Sequence, residues 1–164
     1  MPIQSTPMVI AAAGSIVGSA WVSGNIGAIS FLTIPMILQG GAPTDGIAKA
    51  WRLQFVRTAY IPITTVIAAL NYLYLSHQHR LAGLEWRGYA AGGVANLLLL
   101  PFTQLFIMGI NRKLMASSAS VPGGKVLSSD EARRLVYQWG SLNKYRIFIP
   151  LAGAVLGLWN LLSN

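Results

Sequence analysis

The spacing of charged residues constrains this chain more than any other feature. Asp, Glu, Lys and Arg are absent from four windows, at residues 1–44, 58–79, 88–111 and 147–164. Each window reaches or approaches the ~20 residues with which an α-helix crosses a bilayer. The sequence therefore predicts an all-α integral membrane protein, a four-helix transmembrane bundle with helices at about 7–38, 47–76, 86–114 and 129–162.

Composition supports this class. The chain is 54% hydrophobic and only 10% charged, whereas soluble domains have about a quarter charged residues. The net charge of +8 comes from Lys and Arg that flank the apolar windows, so we expect a lipid bilayer and not a nucleic acid as the partner. There is no cysteine, which excludes disulfides and thiol chemistry. We expect residues 1–164 to form a single membrane domain.

The basic residues also predict the topology. Most of them lie in or near the connections between helices 1 and 2 and between helices 3 and 4: Lys49, Arg52, Arg112, Lys113, Lys125, Arg133 and Arg134. Arg80 and Arg87 flank the opposite connection. Because positive loops favour the cytoplasm, both termini should lie on the lumenal or exterior side of an endomembrane. Small residues four apart on helix 1, such as Gly14 and Gly18, permit a homo-oligomer.

Polar side chains at membrane depth are the candidate functional residues. Trp139, Asn143 and Arg146 lie at i, i+4 and i+7 of helix 4 and share one face. The other candidates come from helices 2 and 3: Trp51, Arg57, Tyr60, Thr103, Gln104 and Asn111. Such groups are costly in lipid and by default face the bundle interior. Two alternatives stay open: Arg146 can extend to lipid headgroups, and the amides can simply tie helices together.

Several kinds of chemistry are excluded by what the windows lack. They contain no Asp or Glu, which argues against a carboxylate proton relay or an ion-coupled transporter. His77 and His79 have only Glu85 nearby as a further ligand, so we interpret residues 77–80 as a solvated loop and predict no metal site. Any reaction must therefore use amides, hydroxyls, Tyr and Arg on an apolar substrate.

Two segments resemble the small four-helix membrane family that contains the fungal anthrone oxygenases of aromatic polyketide biosynthesis. Leu100–Leu114, LPFTQLFIMGINRKL, is similar to the family's Pro-aromatic-Thr followed by Asn and Leu. Trp139–Arg146, WGSLNKYR, is similar to its Trp-x-x-x-[His/Asn]-x-x-Arg. Ser30–Pro35 and Trp51 add support, so that the resemblance covers most of the chain.

The resemblance implies an enzyme that converts an anthrone, a hydrophobic aromatic polyketide, to an anthraquinone. Dioxygen would be the co-substrate, with no metal or flavin as cofactor. On this hypothesis the catalytic residues are Arg146, Asn143, Asn111 and Arg57, and the substrate-binding residues are Trp139, Thr103, Gln104, Tyr60 and Trp51. Arg146 would stabilise the developing oxyanion, Asn143 and Asn111 would orient the carbonyl and neighbouring hydroxyls, and Trp139 would stack on the rings. Arg57 or Tyr60 would relay the proton.

Two other functions stay open. The scaffold can carry a different enzyme that acts on another hydrophobic pathway intermediate. It can also be a non-catalytic membrane protein that binds a lipophilic ligand and presents it to a partner.

Overall fold

The computed structural model describes residues 6–40, 46–117 and 127–164. Within these ranges the chain forms four long helices and no β-strand. They are α1 (Thr6–Gln39), α2 (Gly46–Leu81), α3 (Arg87–Ser117) and α4 (Ser129–Leu162), and each is long and apolar enough to cross a membrane. The predicted all-α membrane bundle is confirmed. The loops expected at 39–46 and 115–127 fall largely outside the described residues.

The four helices run up and down and pack as a ring in which each contacts the next and α4 closes on α1. Two apolar clusters fill the ring. One surrounds Tyr72 and Tyr89 at the end where α1 begins. The larger one contains Trp51, Trp139 and Val22 and occupies the opposite half. Large apolar side chains also cover the outside, as lipid requires; Leu105 is 77% exposed.

The end of α2 differs from the sequence prediction. The helix continues to Leu81 instead of ending near Ser76, and it is followed by Gly83 with a φ of 70°. The amide of Leu84 donates to the carbonyl of His79 at 2.9 Å, as in a glycine-terminated helix end. His79, expected in a solvated loop, is fully buried with Nδ1 3.2 Å from the Glu85 carbonyl. Gly83, and not the polar run before it, was the stop signal.

Each span is interrupted about one turn before a proline, because the ring lacks an amide hydrogen and clashes with the carbonyl four residues earlier. In α1 the interruption is the π-helical segment Ile29–Thr33. In α3 it is a turn at Leu98, and a π-helical segment, Thr103–Ile107, follows Pro101. In α2 and α4 it is a turn at residues 58–59 and 146–147. The prolines concerned are Pro35, Pro62, Pro101 and Pro150. All four interruptions fall in the same half of the bundle, and the cavity described below lies among them.

The other half of the bundle is held by a close approach of α3 and α4. A Cβ at Gly92 would lie 3.1 Å from the carbonyl oxygen of Gly153. A Cβ at Gly88 would lie 2.6 Å from the Cβ of Asn160 and 2.8 Å from the carbonyl oxygen of Leu156. Glycine thus lets two backbones touch where lipid offers no hydrophobic driving force.

We expect Gly88→Ala to destabilise the protein by about 1–3 kcal/mol, because the added methyl group meets the backbone of α4. Gly109→Ala is the matched control, since a Cβ at Gly109 has no atom within 4 Å. The control should be neutral or stabilising, because alanine favours helix. Thermal unfolding in detergent measures both variants, and an unchanged midpoint for Gly88→Ala would contradict this packing.

Candidate active site

A cavity of about 260 Å³ lies at the level of the four interruptions, and all four helices contribute to its wall. Its volume is near the lower end of small-molecule pockets. Its apolar wall is formed by Ile26, Ile29, Phe55, Ala59, Ile61, Pro62, Leu99, Leu100 and Met108. Its polar groups and its one indole are Gln54, Thr58, Thr103, Gln104, Asn111, Trp139, Asn143 and Arg146.

A chain of hydrogen bonds holds Arg146 in this wall. Arg146 Nη1 donates to Asn143 Oδ1 at 2.7 Å, and Asn143 Nδ2 donates to Ser30 Oγ at 2.9 Å. Ser30 in turn donates to the carbonyl of Ile26 at 2.8 Å. Because that bond uses the only hydroxyl hydrogen, Ser30 Oγ can only accept from Asn143. The orientation of the Asn143 amide, and through it of Arg146, is thereby determined.

A second pair orients Asn111. Trp139 Nε1 donates to Asn111 Oδ1 at 2.8 Å, and both residues are buried. An indole nitrogen can only donate, so the oxygen of the Asn111 amide must face Trp139. The amide nitrogen then has its two hydrogens free, and it makes no hydrogen bond within the part of the chain that the structure describes. Asn111 is therefore an oriented donor in the cavity wall.

The charge of Arg146 has no anionic partner in the described structure. The four acidic residues of the chain are Asp45, Glu85, Asp130 and Glu131, and none belongs to the cavity wall. Besides the bond to Asn143, Arg146 keeps a buried Nε without a partner. A cation among apolar and amide groups binds an anion strongly, because little water competes for it. The cavity is thus built to attract negative charge.

Thr103 and Gln104 also line the cavity, as the sequence predicted from their polarity at membrane depth. Thr103 Oγ1 donates to the carbonyl of Leu99 at 2.7 Å, so its oxygen can only accept from a ligand. Gln104 lies at an exposed part of the wall. Both belong to the π-helical segment Thr103–Ile107, and such segments are frequent at functional sites.

Three candidates from the sequence lie outside the cavity wall. Arg57 is exposed at the end of the first segment of α2. The hydroxyl of Tyr60 donates to Asn25 Oδ1 at 3.1 Å on the outer surface. Trp51 is fully buried behind the wall, stacked on Phe55 at 5.0 Å and edge-on to Trp139 at 5.8 Å. Trp51 therefore supports two wall residues, while Arg57 and Tyr60 have no contact with the cavity.

Sequence reasoning missed Gln54, Thr58 and Ser30. Thr58 Oγ1 donates to the carbonyl of Gln54 at 2.9 Å and accepts from Gln54 Nε2 at 3.1 Å. Gln54 Oε1 is then a buried acceptor with no partner in the described residues. The signal was available: Gln54 and Thr58 are four apart on one helix face, just before Pro62. Ser30 was visible only as part of a motif, because its role depends on α4.

The fold and the cavity define a small four-helix membrane protein with an oriented polar cluster beside an apolar pocket. A family model described as anthrone oxygenase matches residues 51–156. Monooxygenase hypC of Dothistroma septosporum is 31% identical to this chain, over 84% of it and 75% of the relative. The chain belongs to the anthrone oxygenase family.

Two further relatives support this assignment. An anthrone oxygenase of Claviceps purpurea is 31% identical over 92% of this chain and 87% of its own length. Anthrone oxygenase tpcL of Aspergillus fumigatus is 26% identical over 98% of this chain and 99% of its own length. No solved structure matches this chain significantly.

The hydrogen-bond chain to Arg146 gives a testable prediction. Ser30→Ala leaves the buried Asn143 Nδ2 without its acceptor, which should lower the free energy of unfolding by about 1–3 kcal/mol. Ser30→Thr keeps the hydroxyl and should recover most of this loss. Ser141→Ala removes a more accessible hydroxyl that bonds the Tyr137 carbonyl at 3.1 Å, and we expect little change. Equal unfolding midpoints for Ser30→Ala and Ser141→Ala would show that Ser30 does not support Asn143.

Proposed function

We propose that this protein oxidises an anthrone-type polyketide to the corresponding anthraquinone inside the membrane, with dioxygen and without metal or flavin. The observation that carries the proposal is the cavity itself, in which a guanidinium with no anionic partner among the described residues and an oriented amide lie beside apolar walls. Membership in the anthrone oxygenase family supports the substrate class. The relatives named above carry the same activity in their names.

The chemistry balances without a reductant. The ring methylene of the anthrone loses both hydrogens and gains one oxygen atom, and the second oxygen atom leaves with the two hydrogens as water. Removal of the first proton gives a delocalised aromatic anion, which can react with dioxygen directly. The peroxide that forms on carbon then loses water to give the quinone carbonyl. What the protein must supply is stabilisation of the anion and a defined position for the ring.

Arg146 and Asn111 are suited to the first task. The guanidinium would stabilise the negative oxygen of the anthrone anion, and the free amide hydrogens of Asn111 would donate to the same oxygen or its neighbour. Asn143 holds Arg146 through the 2.7 Å bond and acts as a positioning residue. An amide is sufficient for that role. The motif allows His or Asn at this position, and Asn143 fits the positioning role although its amide, unlike an imidazole, cannot accept the proton.

The apolar wall of the cavity would position the ring system of the substrate. The indole of Trp139 and the ring of Phe55 line the cavity, and both are kept in place by Trp51. A flat tricycle would stack on these rings. Thr103 and Gln104 are available to hydroxyl groups of the substrate.

The proton acceptor is a separate question, because no His, Asp or Glu belongs to the wall. Arg57 and Tyr60, which the sequence suggested as a relay, lie outside the cavity. We assign proton loss to water, assisted by Arg146: a nearby cation lowers the pH at which the bound anthrone ionises. Turnover should then follow ionisation of the substrate.

For the topology, we propose that the cavity half of the bundle lies toward the cytoplasm and both termini on the lumenal or exterior side of an endomembrane. Arg133 and Arg134 begin α4, and Arg112 and Lys113 lie near the end of α3, all on the cavity side. Only Arg80 and Arg87 flank the connection at the other end. This bias follows the positive-inside tendency.

The test of the function is oxygen uptake and quinone formation by the purified, metal-stripped protein in detergent with emodin anthrone. Wild-type protein should exceed the spontaneous rate. Arg146→Ala should lose about 10²–10³-fold in kcat, as when an oxyanion donor is removed. Tight anthrone binding without turnover by the wild type would instead favour a binding protein, and no binding would indicate another substrate.

The pH dependence separates electrostatic stabilisation from a structural role. In Arg146→Ala the bound anthrone should ionise at a pH about 1–3 units higher, because the cation that favours the anion is gone. Activity should therefore be lost at neutral pH and partly restored at high pH. Arg146→Lys keeps the charge, and its activity at neutral pH should lie between those of the wild type and Arg146→Ala. A loss of the same factor at every pH would contradict this role.

A further inference from the structure

The wall of the cavity is not equally covered on all sides. The residues that α1 and α4 contribute are buried or half-buried, among them Ile26, Trp139 and Asn143. All the exposed wall residues come from α2 and α3: Ala59, Pro62, Leu100 and Gln104. The cavity is therefore open between these two helices.

This gap has a structural cause. In the other half of the bundle α2 and α3 approach closely, since a Cβ at Gly93 would lie 3.2 Å from the Ala69 carbonyl oxygen and 3.0 Å from Leu73. Toward the cavity both helices are interrupted, α2 at residues 58–59 and α3 at Leu98. Beyond these points no glycine contact joins them among the described residues. The opening therefore lies at the two interruptions, between this close approach and the segments 46–57 and 108–117, where α2 and α3 contact each other again.

The surroundings of the opening are apolar, which places it against lipid. Ile63 and Phe106 are 62% and 55% exposed beside it. Arg57 is exposed five residues before Pro62, or about 8 Å along a helix. Because an exposed arginine in a span extends to the headgroups, the opening lies just below them. Amphipathic aromatic rings favour this depth, as Trp and Tyr side chains do, so we expect a flat aromatic molecule with hydroxyl groups to concentrate there.

We propose that this opening, defined by Ala59, Pro62, Leu100 and Gln104, is the lateral portal through which the aromatic substrate passes from the bilayer into the cavity. The inference rests on the proposed function for the identity of the substrate. Gln104 supplies the polar contact at the portal: it is exposed toward lipid and makes no hydrogen bond within the described chain. An amide left unsatisfied in lipid is costly and therefore binds a passing hydroxyl group.

The chain contains no cysteine, which allows a direct test of portal occupancy. Ala59→Cys should react with a lipid-soluble maleimide in vesicles, and added anthraquinone should slow that reaction about tenfold or more when it fills the portal or cavity. Leu105→Cys is the matched control on the lipid-facing side of α3, where Leu105 is 77% exposed and outside the cavity wall. Its labelling rate should not change. Equal rates with and without anthraquinone for Ala59→Cys, or equal slowing at both sites, would overturn the portal.

Turnover provides the second measurement. Leu100→Trp narrows the portal and should reduce kcat/KM for anthrone delivered in lipid vesicles by about tenfold or more, because access is obstructed. Leu105→Trp should stay close to wild type. If the wild type turns over and the two variants Leu100→Trp and Leu105→Trp have equal kcat/KM, the portal is wrong and the proposed function stands. If wild type does not turn over yet anthraquinone protects Ala59→Cys, the function is wrong and the portal stands.

Discussion

The structure depends on one uncompensated charge at membrane depth. Arg146 lies in a span with no carboxylate in the cavity wall, and among the described residues its side chain donates to Asn143 alone. A cation in such surroundings costs free energy unless an anion or water accompanies it. The bundle accepts that cost at the place where it also provides an apolar pocket and an oriented donor, Asn111. In the proposed reaction, a substrate that becomes an anion in the pocket would remove this imbalance, and the charge would thereby favour the state of the substrate that reacts with oxygen.

The proline interruptions create the space that this chemistry needs. An uninterrupted four-helix bundle would fill its centre with side chains, as the half around Tyr72 and Tyr89 does. The other half, which contains the breaks before Pro62, Pro101 and Pro150, holds the cavity, and the cavity wall is exposed between α2 and α3. At the interruption of α4, the Ile147 carbonyl accepts from the hydroxyl of Ser23 at 2.9 Å, which ties α1 to α4. The interrupted half of the bundle thus contains the cavity, its polar groups and its opening to lipid.

The sequence was sufficient for the fold because charge spacing reports membrane spans directly. It was also sufficient to propose Trp139, Asn143 and Arg146 as one face, since helix periodicity is local. It could not separate Arg57 and Tyr60 from the cavity, because the turn at residues 58–59 changes the direction in which α2 presents its side chains. Nor could it identify Ser30 as the support of Asn143, a contact between residues 113 positions apart. Long-range packing, and not local pattern, decides such roles.

The most direct test of the central claim is the absorption spectrum of anthrone bound to the protein without oxygen. The anthrone anion absorbs at longer wavelength than the neutral ketone, so its fraction can be read at each pH. We expect wild-type protein to bind the anion at a pH where detergent micelles alone, and the Arg146→Ala protein, contain the neutral form. A neutral spectrum in the wild type, identical to that in Arg146→Ala, would contradict the account.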